Sequence, residues 1–138
     1  MNFKYCIWLI PNKTHIWYNY TNGFIPHLTI KSKMNYKDAQ KLYNFLNIEP
    51  LKIKLCHDII YSIEKKFHAL YFPVKLLGVK PEWWPNNPHI SFRYQYNKSF
   101  NQCEIENLKK LVSVFDGELV EIKLVKCSGH FKNWIILK

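Results

Sequence analysis

The chain has 138 residues, 48% hydrophobic and 17% aromatic, with a formal charge of +10. Its length fits one domain, residues 1–138, large enough to bury a core, and the apolar and aromatic content excludes a disordered chain. The charge is carried by lysine apart from Arg93, the single arginine. It favours polyanions or phosphates as partners, although an AT-rich genome would also enrich Lys, Asn, Ile and Tyr, so charge alone does not separate a phosphate-binding protein from one with a solvated lysine coat.

In chain order, Phe3 to Ile10 reads as a largely buried first strand. An aromatic loop with Trp17, Tyr18 and Tyr20 runs to the turn signal Asn22-Gly23, and Ile25 to Lys31 is a second strand. Asn35 is placed to cap a helix whose Ala39, Leu42, Tyr43 and Leu46 share a face. The alternation of Leu51, Ile53 and Leu55 with Lys52 and Lys54 marks a strand expected to run on towards Ile63, to turn at Glu64-Lys65-Lys66 and to return as Phe67 to Leu76. Gly78 to Pro88 is irregular and contains Trp83-Trp84, and Pro88 to Tyr94 is a further strand. Asn101 and Glu104 form a capping box for a helix with Ile105, Leu108, Leu111 or Val112, and Phe115 on one stripe and Gly117 just past its end. Val120, Ile122 and Leu124 alternate in a strand that turns at Ser128-Gly129 into a last one, Phe131 to Leu137.

One hexapeptide occurs twice. Pro26-His27-Leu28-Thr29-Ile30-Lys31 returns as Pro88-His89-Ile90-Ser91-Phe92-Arg93, matching as proline, histidine, aliphatic, hydroxyl, apolar and base. Side chains alternate along a strand, so His27, Thr29 and Lys31 are expected on one face and Leu28 and Ile30 on the other; His89, Ser91 and Arg93 repeat the arrangement. Two imidazoles that titrate near neutrality can divide base and acid work. The hydroxyls can bind the oxygens of a phosphate, and Lys31 and Arg93 can add charge. A lone His-x-Thr in a strand is usually an ordinary structural histidine. The doubled motif, each copy after a proline and followed by a helix and a strand pair, argues for function.

On these residues the chain resembles the 2H phosphoesterases, the superfamily with two His-x-Thr/Ser motifs. The resemblance implies an α+β, bilobal fold: two pseudo-symmetric lobes of antiparallel sheet, each with a helix outside, the motif strands lining a central cleft. It implies His27, Thr29, His89 and Ser91 as catalytic residues, with no metal and no cofactor. The implied function is metal-independent cleavage of a phosphodiester in a small nucleotide or oligonucleotide, foremost a cyclic dinucleotide immune messenger or a 2′,5′-linked oligoadenylate. A 2′,3′-cyclic phosphodiesterase or an RNA 3′-end processing enzyme is the alternative, and a non-catalytic basic RNA- or nucleotide-binding module is the alternative from another class. Small size and AT-biased composition resemble viral members, whereas the short gap between motifs and the scarcity of arginine depart from the RNA-ligase-like ones.

Beyond the motifs, Lys31, Arg93, Trp17, Tyr18, Trp83, Trp84 and Tyr5 are the expected substrate-binding residues: at least one of Trp17, Tyr18, Tyr20, Trp83 and Trp84 is a stacking platform for a base, and Tyr5 faces the cleft from the neighbouring strand. Trp134 reads as core or cleft wall. His57 and His68 read as structural or surface residues, and no role is given to His15 or His130. Cys6, Cys56, Cys103 and Cys127 show no Cys-x-x-Cys spacing, and Tyr5 to Ile10 is too short for a signal core or a membrane span. The expected setting is a reducing cytoplasm (the host's, for a viral protein), with no membrane and no obligate protein partner.

Overall fold

A computed structural model describes residues 3–12, 14–56, 58–110 and 116–138, without the side chain of His15. The architecture is α+β, with a sheet in which every described pairing is antiparallel. Strand β1 (Tyr5–Pro11) leads through one turn of helix, α1 (Thr14–Trp17), and a 3-10 turn (Tyr18–Tyr20) to β2 (Leu28–Met34). Helix α2 (Tyr36–Phe45), strand β3 (Leu51–Leu55) and the hairpin of β4 (Ile60–Glu64) and β5 (Phe67–Leu76) follow. Then come β6 (His89–Tyr96), α3 (Gln102–Lys109), the long β7 (Asp116–Lys126), a 3-10 turn (Phe131–Asn133) and the short β8 (Ile135–Ile136).

Strand order is β1-β2-β6-β5-β3-β7-β8, with β4 also on β5, and β1 pairs back to β7, so the order closes on itself. The pairings differ in length. β1 and β7 run together from Tyr5–Lys126 to Pro11–Leu119, and β5 and β6 from Phe67–Tyr96 to Pro73–His89. The two motif strands, β2 and β6, meet among the described residues only at Leu28–Ile90. They form a narrow seam between broader blocks.

The helices cover one face of the sheet. Leu9, Leu28, Ile53, Leu55, Leu70, Phe72, Ile90 and Phe92 form the main core there, with Leu108 of α3 among them. Helix α2 adds Ala39 and Leu46 against Ile7 and Leu124. Both helices begin where the sequence places them. Asn35 Oδ1 accepts from the Asp38 amide at 2.8 Å, and Asn101 with Glu104 forms a complete capping box; each cap is worth about 1 kcal/mol. The opposite face is apolar as well, through Cys6, Trp8, Ile10 and Val125 and through Phe24, Ala69, Tyr94 and Phe131. Strand β1 is buried on both faces, which is why it reads as a continuous apolar run.

Several expected boundaries change. The strand expected from Leu51 to Ile63 is two strands lying end to end along one edge of β5: Leu55 faces Val74 and Ile60 faces Tyr71. Pro73 sits at the break, and a proline has no amide hydrogen to give the ladder; its carbonyl still accepts from the Cys56 amide at 2.8 Å. The last strand is a 3-10 turn followed by the short β8. Gly117, expected just past a helix end, lies in β7 opposite Ile53. A Cβ there would lie 3.2 Å from Asn12 Oδ1 and 3.5 Å from the Trp17 ring, so close packing accounts for the glycine. Leu111, Val112, Phe115 and His57 lie outside the described residues.

Cys6 and Cys127 form a disulfide between strand β1 and the residue after β7, 121 positions apart. The expected reducing setting does not favour such a pair; the β1–β7 pairing brings the two cysteines together. Cys56 and Cys103 are free thiols. No helix among the described residues is long and apolar enough to cross a membrane.

Candidate active site

The antiparallel register centred on Leu28–Ile90 fixes the site. One residue either way, it sets His27 across from Ser91 and Thr29 across from His89. Cross-strand partners share a face, so both polar pairs emerge on the face away from the helices. Leu28 and Ile90 point the other way and are fully buried in the main core. The motif's aliphatic position thus anchors the seam on one side while its histidine and hydroxyl positions line the other.

The two histidines are held alike. His27 Nδ1 lies 2.6 Å from the carbonyl of Ile25, and His89 Nδ1 lies 2.8 Å from that of Asn87. A carbonyl only accepts, so in each ring Nδ1 carries the hydrogen and donates, leaving Nε2 bare in the neutral form. In both copies the acceptor is the residue two before the histidine. The internal repeat therefore includes the tautomer.

The environments of the two rings differ. His27 is only 5% exposed, and its ring lies flat on Trp8, centroids 3.6 Å apart and planes 9° apart. Burial pushes its pKa down to about 4; the bond to the Ile25 carbonyl acts against that shift and the nearby His89 adds to it. His27 is therefore neutral at pH 7, with a lone pair on Nε2. His89 is half-buried beside Tyr71, ring centroids 4.4 Å apart. The Tyr94 phenol is pushed up to about 12 by burial, with the Ser91 side chain pulling the other way, so it remains a protonated donor.

The expected third members of each triplet turn away. On β2, Trp8 pairs with Thr29 but Ile7 pairs with Lys31. On β6, Tyr71 pairs with Ser91 but Leu70 pairs with Arg93. Each motif strand has an extra residue at this point, Ile30 in β2 and Phe92 in β6, and such a bulge inverts the alternation; β2 has a second register shift, between Lys31 and Met34. Lys31 consequently sits on the face of Ile7, in a groove beside α2 with Asp38 and Lys41. Arg93 sits on the face of Leu70, its guanidinium donating to the carbonyl of Tyr20. Strict alternation put both bases in the site; a bulge at the same position of each repeat removes them.

The expected stacking platforms are also elsewhere. Trp17 is 0% exposed and packs against Phe92 in the helix-face core. Trp84 belongs to that core and Trp83 packs against it. Tyr5 meets Tyr36 at the start of α2 edge-on. Tyr18 is exposed on its 3-10 turn and does not line the site. Large amphipathic rings before each motif were a fair signal for cleft walls, but burial of their apolar area on the helix face prevails.

The aromatic wall comes instead from Trp8, Phe67, Tyr94 and Trp134, which with His27 and Thr29 line a cavity of about 300 Å³. The cleft-wall expectation for Trp134 fits this placement. Tyr94 joins because the Phe92 bulge turns it to the site face opposite Ala69; no sequence signal marks that inversion. Trp8 could have been found, since it has the parity of Cys6 and Ile10, opposite to the core residues Ile7 and Leu9. The Cys6–Cys127 disulfide also borders the cavity. Away from the site, His68 bonds the Tyr61 hydroxyl at 2.6 Å, and His130 Nδ1 accepts from the Lys132 amide at 3.2 Å; both roles are structural. Among the described residues no group of three His, Cys, Asp or Glu side chains is placed to hold a metal.

Two imidazoles anchored through Nδ1, flanked by two hydroxyls on one face, form a set in which a neutral ring can take a proton from one oxygen and a protonated ring can deliver one to another. The chain matches no family model and no curated protein.

Proposed function

We propose that the protein is a phosphodiesterase of the 2H type, cleaving a small nucleotide or short oligonucleotide by two-histidine acid–base catalysis. The observation that carries the proposal is the seam at Leu28–Ile90, which sets two His-x-Thr/Ser motifs side by side with matching Nδ1 anchors. In this reading the blocks flanking the seam are the two lobes of the fold. His27, neutral in its buried site, takes the proton from the attacking hydroxyl or water. His89, more open to solvent and entering the step protonated on both nitrogens, gives its Nε2 proton to the leaving oxygen. Thr29 and Ser91 donate to the non-bridging oxygens, where charge grows in the transition state. The scissile phosphate lies between the histidines, and its own ribose hydroxyl or a water is the nucleophile according to the linkage. Cyclic dinucleotides and 2′,5′-oligoadenylates are the first substrates to try, then 2′,3′-cyclic phosphates and oligouridylate.

The test is incubation of the wild-type protein with that panel in EDTA, with products separated by chromatography. The expected result is turnover of at least one substrate, unaffected by the chelator and lost in His27→Asn and His89→Asn. Activity that disappears in EDTA and returns with a divalent ion would refute the mechanism. The charge of +10 also suits a basic RNA-binding module; for that, binding would fall steeply with salt and no product would form.

A further inference from the structure

The two halves of the site repeat each other in motif, tautomer and bulge but not in their walls. On the His27 side stand Trp8, Phe67, Tyr94 and Trp134 around a cavity of about 300 Å³. That is at the lower end of ligand-site volumes, roughly 300–1,000 Å³, and suits one nucleoside-sized group. On the His89 side the ring neighbour among the described residues is Tyr71, and the histidine is half-exposed.

Within the walled side the rings are not equivalent. Trp8 has His27 stacked on it. Tyr94 lies between Phe24, at 4.3 Å, and Phe67, at 5.0 Å, both at shallow angles. Trp134 differs: its contacts with Trp8, His27, Tyr94 and Phe131 are all steep, with planes 64° to 72° apart. No ring of the described residues lies flat on it. Its indole is fixed by these edges and by Nε1 donating to the Gly129 carbonyl at 3.3 Å. At the rim are Lys4 and Lys33, the latter on backbone at φ 56°, a left-handed conformation uncommon outside glycine.

We infer that this cavity is a nucleobase subsite serving one arm of the substrate only. A base lies flat on the indole of Trp134, Lys4 and Lys33 meet nearby phosphate charge, and the arm beyond His89 is left to solvent and read weakly. The assignment to one arm rests on the phosphodiesterase reading; base binding at Trp134 does not.

The first experiment is calorimetry on the wild-type protein with AMP, with ribose 5-phosphate, which keeps sugar and phosphate without the base, and with inorganic phosphate. AMP is expected to bind at least about fivefold more tightly than ribose 5-phosphate, the low end of one stacked base. That ratio should fall close to one in Trp134→Leu, be largely retained in Trp134→Phe, and stay unchanged in Trp83→Leu on the helix face. Equal affinity for AMP and ribose 5-phosphate, or a ratio that survives Trp134→Leu, overturns the subsite. Once a cleavable linkage is known, dinucleotides with one base deleted should lose kcat/KM for one of the two positions only; equal losses at both overturn the one-arm assignment. Base-dependent binding with no turnover of any substrate would sink the phosphodiesterase reading and leave the subsite standing.

Discussion

Strands β2 and β6 carry hexapeptides of the same pattern, make the same Nδ1 bond two residues back and bulge at the same apolar position, yet their histidines live in different surroundings. His27 is buried under Trp8 with a pKa near 4; His89 is half-exposed beside Tyr71. What the repeat shares is backbone geometry: register, tautomer and bulge. What distinguishes the halves comes from strands outside it, β1 supplying Trp8 and the segment after β7 supplying Trp134. A duplicated local sequence can fix where two side chains point without fixing what they do. In the proposed reaction, the burial that keeps His27 neutral suits that ring to the base role.

The largest test of this comparison is removal of either histidine. His27→Asn and His89→Asn should each lower kcat by about 10²–10⁴-fold, with circular dichroism unchanged. A loss confined to one variant would end the picture of two cooperating rings.

Next is the seam. Leu28→Ala removes a fully buried side chain from the point where the motif strands meet, so it should cost about 2–5 kcal/mol in urea unfolding. Phe45→Ala, on an exposed residue, should change stability little.

The asymmetry itself can be tested with pH. The fold favours neutral His27, because its pKa lies below the ordinary value of 6.5. The unfolded chain therefore binds the extra proton first. The stabilising contribution is fully present above about pH 6.5 and is lost as pH falls towards 4. By the same shift, the acid limb of kcat/KM should lie near pH 4. In Trp8→Leu, which uncovers the ring, that limb should move up towards 6.5. A limb that stays put would mean Trp8 does not set the protonation of His27.

The smallest effect is expected where strict alternation would predict a large one. Lys31→Met and Arg93→Met should leave the pH profile unchanged and kcat nearly so. Arg93→Met should still lower stability by about 1 kcal/mol, because the Tyr20 carbonyl loses its donor. A strong loss of kcat in either variant would place the base back in the site.

Much of the fold was legible because it is local. Asn35 and Asn101 with Glu104 announce helix starts through bonds made within three residues. Apolar alternation at Leu51–Leu55 shows a half-buried strand. The interruption after Leu55 was not legible, since Pro73, on the partner strand, breaks the ladder there. The aromatics before each motif misled for a related reason: Trp17 is in the core against Phe92, far along the chain, and Trp84 joins the same helix-face cluster.

For the candidate site, the sequence by itself determined the four motif side chains, their shared parity and the duplication that pairs them. These follow from strand periodicity, a property of consecutive residues. Tertiary structure decided the rest. It chose the register at Leu28–Ile90, turned Lys31 and Arg93 out and Tyr94 in through one extra residue per strand, joined Cys6 to Cys127, and put Trp8 and Trp134 around His27. A bulge is defined only against its partner strand, and burial only against the whole packed chain, so neither is written in a single segment.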